Sequence, residues 1–485
     1  MAKAFYLTTT LPYVNAEPHV GFALELVHAD ILARYHALQG DDVFFNTGTD
    51  EHGLKIYRKA AEEGKDTQDY VDEYAAKFRS LKEKLGLFEG LHFIRTTDPR
   101  HKAAAQEMWR RCAANGDIYK KTYKGLYCVG DEAFIKETDL VNGKCPNHSG
   151  MEPLHIEEEN YFFRLSAYQE KLLAYLAREG VIIPEWRRQE AIAFVKRGLE
   201  DFSISRIKEK MPWGIPVPDD DTQTMYVWFD ALTNYISTLG WPDTRQERVT
   251  GEPENLFERY WVNGETLQLA GKDQVRFQSI MWQAMLMSAG LPTTKQVVYH
   301  GFITSGGEKM SKSLGNVIDP IAIVEEYGTD ALRYYLARHV HPFEDSDFTM
   351  EKFKEAYNAN LANGLGNLAS RVMQLAEANL PWPVEVKFIP YPKEFTDPLD
   401  RHEMNIALDY VWARIQALDQ KINQTEPFKV IKTDPEKGKH IIEELVRELA
   451  FIDEMLEPIM PDTSGKIIAA IMANKKPDNL FPRKE

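Results

Sequence analysis

The chain has 485 residues, more than one hydrophobic core can organise, so roughly two to four domains are expected. Its composition, 44% hydrophobic and 27% charged, is ordinary for a globular protein, and no apolar run of about eighteen residues predicts a membrane span. A net charge of −16 argues against indiscriminate nucleic-acid binding through bulk charge, although a local basic or aromatic surface can still hold one RNA.

The first residues, Met1 to Thr10, lack the charged and apolar regions of a signal peptide, and Phe5–Thr10 predicts a strand. Ala23, Val27, Ile31 and Tyr35 recur every four residues and predict a helix. Val43-Phe44-Phe45 predicts a second buried strand, ending at Gly48-Thr49-Asp50-Glu51-His52-Gly53. Strand, helix, strand is the pattern of an α/β, doubly wound parallel sheet of Rossmann type, whose first half is assigned to residues 1–115. Functional residues belong at the carboxyl ends of such strands, where His19 and Asp50 both fall.

Residues 116–225 read as a connective insertion with a knuckle. Tyr, Gly, Cys, His and Pro cluster between Tyr119 and Pro153, and a Pro-rich stretch closes the insertion from Pro212 to Pro218. Cys112, Cys128 and Cys145 are too few for a disulfide framework and suit a cytoplasmic protein. The α/β signals resume over 226–300, through Leu267–Ala270 and a strand predicted from Val297 to Ile303. Residues 301–350 hold a basic loop, and 351–485 are expected to be a helix bundle. Met404, Leu408, Val411, Ile415, Leu418 and Ile422 form one core stripe; Ile442, Leu445, Leu449, Ile452 and Leu456 form another. Thr425–Lys439, with Pro427, Pro435 and Gly438, is expected to be the linker between them.

Two short motifs carry the chemistry. In Pro18-His19-Val20-Gly21 the histidine ends a strand and starts a helix, so its ring and the helix amides can converge on phosphate oxygens; Gly21 would let a ligand approach the backbone. Standing alone, His-x-Gly would be a turn with a surface histidine. Lys309-Met310-Ser311-Lys312-Ser313 follows a strand and Gly306-Gly307, so two lysines and the hydroxyls between them form a flexible phosphate clamp. A clamp that tightens on a leaving pyrophosphate favours the transition state over the ground state. The two motifs imply one ATP site, provided that they meet in space.

These motifs resemble the two signatures of class I aminoacyl-tRNA synthetases, and further matches in order along the chain resemble the methionyl-tRNA synthetase family. They are Leu11-Pro12-Tyr13-Val14-Asn15, the Gly48–Gly53 stretch, Tyr226-Val227-Trp228-Phe229-Asp230-Ala231, Gly271-Lys272-Asp273, His300-Gly301-Phe302, Asn367-Leu368-Ala369-Ser370-Arg371 and Pro458-Ile459-Met460-Pro461. The resemblance implies activation of L-methionine with ATP and Mg²⁺ to methionyl-adenylate, then transfer to the 3′ end of tRNA(Met). It implies that His19, Lys309 and Lys312 are catalytic, and that His19, Gly21, Glu25, Gly271, Asp273, Phe302, Lys309 and Lys312 bind ATP. Asp50 would hold the methionine ammonium, with Leu11, Tyr13, Trp228, Ala231, Leu232, Tyr235 and Gln278 around the side chain. Asn367 and Arg371, four residues apart on one helix face, and Phe428, a stacking platform, would read the anticodon. A monomer without a large editing domain is expected.

The chain departs from the family pattern at several positions. Phe22 stands where a second histidine is usual, and is read as packing. Gln274 and Gln278 replace an apolar residue and a histidine; Gln278 could bond Tyr13 or the substrate. Cys128, Asp131, Cys145 and His148 have zinc-like spacing with Asp131 in place of a cysteine, so a Zn²⁺ site and a metal-free knuckle both stand at this point. Three other functional readings also stand: a class I enzyme for a different amino acid, a non-catalytic tRNA-binding relative, and a generic nucleotide-binding fold, which would leave the C-terminal matches unexplained.

Overall fold

The computed structural model describes residues 2–128, 133–135, 137–146, 152–243, 246–247, 253–310 and 315–485. Their contacts define two units: Met1–Pro18, Gly40–Ser80 and Glu89–Tyr299 form one, and His19–Gln39, Leu81–Phe88 and His300–Glu485 the other.

The first unit is built on a six-stranded sheet of β1 (Ala4–Thr8), β2 (Asp42–Thr49), β3 (Leu91–Arg95), β4 (Ile182–Ile183), β5 (Glu265–Gly271) and β6 (Gln296–His300), in the order β3-β2-β1-β5-β6-β4. β1 runs parallel to β2 (Phe5 opposite Val43) and to β5 (Phe5 opposite Glu265), and β2–β3 and β6–β4 are also parallel. Tyr6, Leu7 and Phe45 are buried, as expected of strands covered on both faces. The strand order reverses direction between β1 and β5. A doubly wound sheet opens a crevice beyond the carboxyl ends at such a point, and here Thr9–Tyr13 follow β1 and Lys272–Asp273 follow β5.

The strand predicted from Val297 to Ile303 stops at His300, and Ile303–Ser305 starts a separate small sheet. The break occurs because the Phe302 N–H donates to Asp345 Oδ1 and its carbonyl accepts from Ser346, so neither stays in the parallel ladder. In the insertion, Ile118–Cys128 pairs antiparallel with Leu154–Phe163, from Ile118 opposite Phe163 to Tyr127 opposite Leu154. Its base has no core of its own. Phe163 and Leu165 share one apolar cluster with Tyr6 and Phe44 of the sheet, Trp109 of α2 (Pro99–Ala114) and Phe229 of α3 (Val227–Ala231).

The second unit contains α1 (Val20–Leu38). The predicted stripe Ala23, Val27, Ile31 and Tyr35 is buried, but so are Leu24, His28, Asp30 and Leu32, which marks a helix covered on all sides rather than one with a single apolar face. Around it in the same unit are α4 (Thr329–Arg338), α5 (Asn367–Asn379), α6 (Met404–Thr425), α7 (Pro427–Thr433), α8 (Pro435–Leu456) and α9 (Pro461–Ala473). The two predicted bundle stripes are buried on α6 and α8. The expected linker Thr425–Lys439 is instead α7 and the first turn of α8. Pro427 and Pro435 occupy first helical positions, where a missing N–H costs nothing, and Asp434 caps α8 by accepting from the Lys437 N–H. Among the described residues no helix is long and apolar enough to cross a membrane.

Candidate active site

In the second unit His19 is the N-cap of α1, with extended backbone (φ −127°, ψ 173°), and its Nδ1 accepts from the Gly21 N–H at 3.1 Å. That bond fixes the tautomer: Nδ1 is the acceptor, so the proton sits on Nε2 and makes it a donor. Burial lowers the ring's pKa to about 4, so His19 is a neutral donor near pH 7. Gly21 leaves room for this ring: a Cβ there would lie 2.8 Å from His19 Cε1, so the imidazole would have to move. The Phe22 ring packs at 4.4 Å from the imidazole, a contact consistent with packing at that position.

The helix amides expected to face phosphate are already used. Val20 N–H donates to the Ile318 carbonyl at 3.0 Å, Gly21 N–H to His19 Nδ1, and Phe22 and Ala23 N–H to the His19 carbonyl. What α1 presents at this end is the His19 Nε2–H. The Val20–Ile318 bond also ties the chain just beyond the basic motif to the residue after His19. On the other side of the motif, Ser305 pairs with Glu308 and Thr304 with Lys309 across Gly306-Gly307, whose φ values of +64° and +79° suit a tight two-residue turn. Gly307 N–H donates to Asp347 Oδ1 at 2.8 Å. The glycines thus build a defined turn at the start of the loop. Ser311, Lys312 and Ser313 lie outside the described residues.

Two other predicted nucleotide residues of this unit have internal partners. The Glu25 carboxylate is 2.8 Å from His300 Nε2, while His300 Nδ1 is 2.7 Å from the Gly301 carbonyl. Both ring nitrogens are therefore engaged within the unit. Phe302 has its N–H and carbonyl engaged as described above, which leaves its ring as what it can offer a nucleotide.

The first unit gathers the predicted amino-acid residues. The segment after β1 pairs with the end of β2 through a Tyr13–Asp50 bridge, with Asp50 N–H donating to the Pro12 carbonyl and Val14 N–H to the Asp50 carbonyl. Tyr13 Oη donates to the His52 carbonyl at 2.6 Å rather than to Gln278. Gln278 donates to Tyr235 Oη at 2.7 Å and is buried, so its amide holds in place another of the residues predicted to line the methionine pocket. Trp228 stacks on Phe277 at 3.8 Å, and Ala231 and Leu232 are buried beside it in sequence. Leu11 is half-buried; Gly271, at the end of β5, is buried, and Asp273 beyond it is exposed and accepts from Gln274. Sequence reasoning gave no role to Glu51, which is buried and held by Arg95 (2.7 and 2.9 Å), Thr49 and Thr97. The motif containing it was visible, but apart from Thr49 its partners come from β3 and the turn beyond.

Cys128 and Cys145 are buried and not disulfide-bonded. Asp131 and His148 lie outside the described residues, and among the described ones no group of three metal-ligating side chains assembles. On α5, Asn367 is exposed, and Arg371 donates to Asp419 and to Asn423 (3.0 Å) of α6. Asn423 lies near the end of α6, and Phe428, 43% exposed, opens the next helix.

The family model of class I tRNA synthetases (M) matches residues 5–152 and 136–373. The chain is 40% identical over 498 residues to the methionine–tRNA ligase of Brucella suis biovar 1 (strain 1330), covering 98% of this chain and 93% of that protein. The chain belongs to the methionine–tRNA ligase family of class I tRNA synthetases. A second member, from Thermotoga maritima, is 39% identical, with 98% of this chain and 76% of that protein covered. Among solved structures, Mycobacterium tuberculosis methionyl-tRNA synthetase in complex with methionyl-adenylate superposes with a TM-score of 0.86 at 36% identity, covering 100% of this chain and 99% of that one. The free form of the same enzyme gives 0.81 at 33% identity. Membership fits the strand order, the helix-capping histidine and the bond that ties the chain beyond the basic motif to the residue after it.

Proposed function

We infer that this chain activates L-methionine with ATP and transfers it to tRNA(Met). The methionine carboxylate attacks the α-phosphate of Mg-ATP and pyrophosphate leaves; the terminal adenosine 2′-hydroxyl of the tRNA then attacks the methionyl carbonyl, forming the ester as AMP leaves. Positioning and electrostatics suffice for an in-line displacement, so no covalent nucleophile is needed. The neutral His19 Nε2–H donates to phosphate, and Lys309 and Lys312 follow the charge onto the departing pyrophosphate. Gly271 and Asp273 serve the adenosine, and Asp50 the ammonium. Trp228, Tyr13, Tyr235, Leu11, Ala231, Leu232 and Gln278 enclose the thioether arm. The single observation that carries this reading is the Val20–Ile318 bond, which returns the chain beyond the basic motif to the helix headed by His19. Methionine-dependent ATP–pyrophosphate exchange, run across the twenty amino acids with and without tRNA, tests it. Exchange with another amino acid alone, or none at all, would end it.

Residues 1–115 and 226–300 act as the catalytic domain, 116–225 as the insertion, 301–350 as the basic-loop region and 351–485 as the anticodon domain of a cytoplasmic monomer. Zinc enters only if Asp131 and His148 complete the two buried thiols. For the anticodon, Asn367, Arg371 and Phe428 present an amide, a guanidinium and an aromatic face. Arg371→Ala should lower tRNA charging about tenfold or more, as loss of a charged contact to a base edge does. Pyrophosphate exchange should stay within twofold, roughly the scatter of such comparisons. Equal loss in both assays would remove Arg371 from the RNA surface.

A further inference from the structure

The first unit carries a buried charge cluster that the roles above leave unused. Asp230, on α3, is 0% exposed; one carboxylate oxygen lies 3.1 Å from His52 Nδ1 and the other 3.6 Å from His101 Nε2. His52 and His101 are themselves 2% and 0% exposed, and His101 Nδ1 is 2.9 Å from Ser237 Oγ. Burial alone would raise the Asp230 carboxyl, but the two imidazoles outweigh it and hold it below the usual carboxylate range. A buried carboxylate is costly unless paired, so the segments bearing these groups cannot part without exposing it to an apolar interior.

What those segments carry gives the cluster its meaning. His52 follows Asp50 by two residues, and its carbonyl accepts the Tyr13 hydroxyl. The intervening Glu51 is fixed by Arg95, and its carbonyl accepts from Trp213 Nε1 at 2.6 Å. On the other side, α3 carries Trp228 and Ala231 on the same short helix as Asp230. One wall therefore bears Asp50, proposed for the ammonium, together with Tyr13, the other bears Trp228 and Ala231, proposed for the thioether arm, and the His52–Asp230 contact is a direct polar link between them.

We propose that His52 and Asp230 are positioning residues that set the spacing of the two walls of the methionine pocket. The proposal rests on the pocket assignment made under Proposed function. A pocket that must fit one unbranched side chain is sensitive to sub-ångström displacement of its walls, whereas groups serving ATP do not depend on this spacing.

The test separates the two substrates in pyrophosphate exchange. His52→Leu removes the donor, and His52→Asn places an amide N–H where Nδ1–H was. His52→Leu should raise the methionine KM roughly tenfold or more, with the ATP KM within about twofold, and His52→Asn should recover most of the loss. Asp230→Asn, which keeps an acceptor but removes the charge, should fall between them. If His52→Leu does not fold, the methionine-to-ATP ratio of KM changes in Asp230→Asn decides. An unchanged methionine KM, or equal rises for both substrates, would overturn the positioning role. Absence of methionine-dependent exchange in the unsubstituted protein would instead overturn the pocket assignment.

Discussion

A His19→Ala variant should lose about 10²–10³-fold in the rate of methionine-dependent ATP–pyrophosphate exchange, the usual cost of removing one aimed donor from a developing charge. Alanine also removes the helix cap, because the imidazole Nδ1 satisfies the Gly21 N–H. His19→Asn separates the two roles: its carbonyl oxygen can still cap α1, but nothing replaces the Nε2–H. It should melt with the unsubstituted protein and be as slow as the alanine variant. The pH dependence follows from the ring's environment. Burial lowers the pKa to about 4, so the ring gains its proton only as pH falls through that value. The unfolded chain, with an ordinary histidine pKa near 6.5, takes up that proton sooner. His19 therefore contributes to stability above about pH 6.5, and the contribution is lost as pH falls toward 4. Between about pH 5.5 and 8 the exchange rate should show no acid limb that His19→Asn abolishes. Such a limb near 6.5, or a fast His19→Asn enzyme, would mean that His19 does not act as a neutral donor.

Periodicity made the layers of the fold legible. Aromatic and branched runs at Phe5–Thr10 and Val43–Phe45 have few alternatives to a buried parallel strand, and both lie in the six-stranded sheet. The bundle stripes were equally plain, since an apolar side chain every three or four residues has nowhere to go but a helix core. Where reading failed, a local residue preference met a tertiary partner. Pro427 and Pro435 read as breakers because proline lacks an N–H, yet the first helical position needs none. The α1 amides read as an open anion site, and no local pattern could reveal that the Ile318 carbonyl and the neighbouring imidazole take them up. The site letters could be read singly; pairings such as His52 with Asp230 depend on segments that only folding brings together.

Arg333→Met should destabilise the second unit by about 3–5 kcal/mol, the cost of leaving one member of a buried ion pair alone. Arg333 is 0% exposed. Its Nε donates to the Ile459 carbonyl at 2.7 Å, and one terminal nitrogen to the Leu85 carbonyl at 3.1 Å. The other reaches Asp30 Oδ2 at 2.6 Å and the Pro458 carbonyl at 3.2 Å. One planar fork thus joins α4 to α1, to the Leu81–Phe88 segment and to the turn between α8 and α9, all within one unit. This gives a physical reason for the Pro458-Ile459 stretch that the sequence showed only as a family resemblance. The turn must aim two carbonyls at a guanidinium. Lysine cannot copy the geometry, because its single nitrogen has no fixed fork to reach acceptors spread over three segments. Arg333→Lys should therefore recover less than half of the loss. Asp30→Asn should also destabilise: the amide oxygen still accepts from Arg333 and Arg34, but the buried guanidinium loses its counter-charge and an NH2 faces the Phe88 N–H that Oδ1 accepts from. Urea unfolding followed at two wavelengths measures all three. A loss below about 1 kcal/mol in Arg333→Met would show that the four contacts do not act as one tie, because ordinary surface substitutions already reach half of that. Since α1 begins at His19, the methionine variant should also lose exchange activity before it unfolds. A variant that is destabilised yet fully active up to its melting point would separate the tie from the catalytic helix.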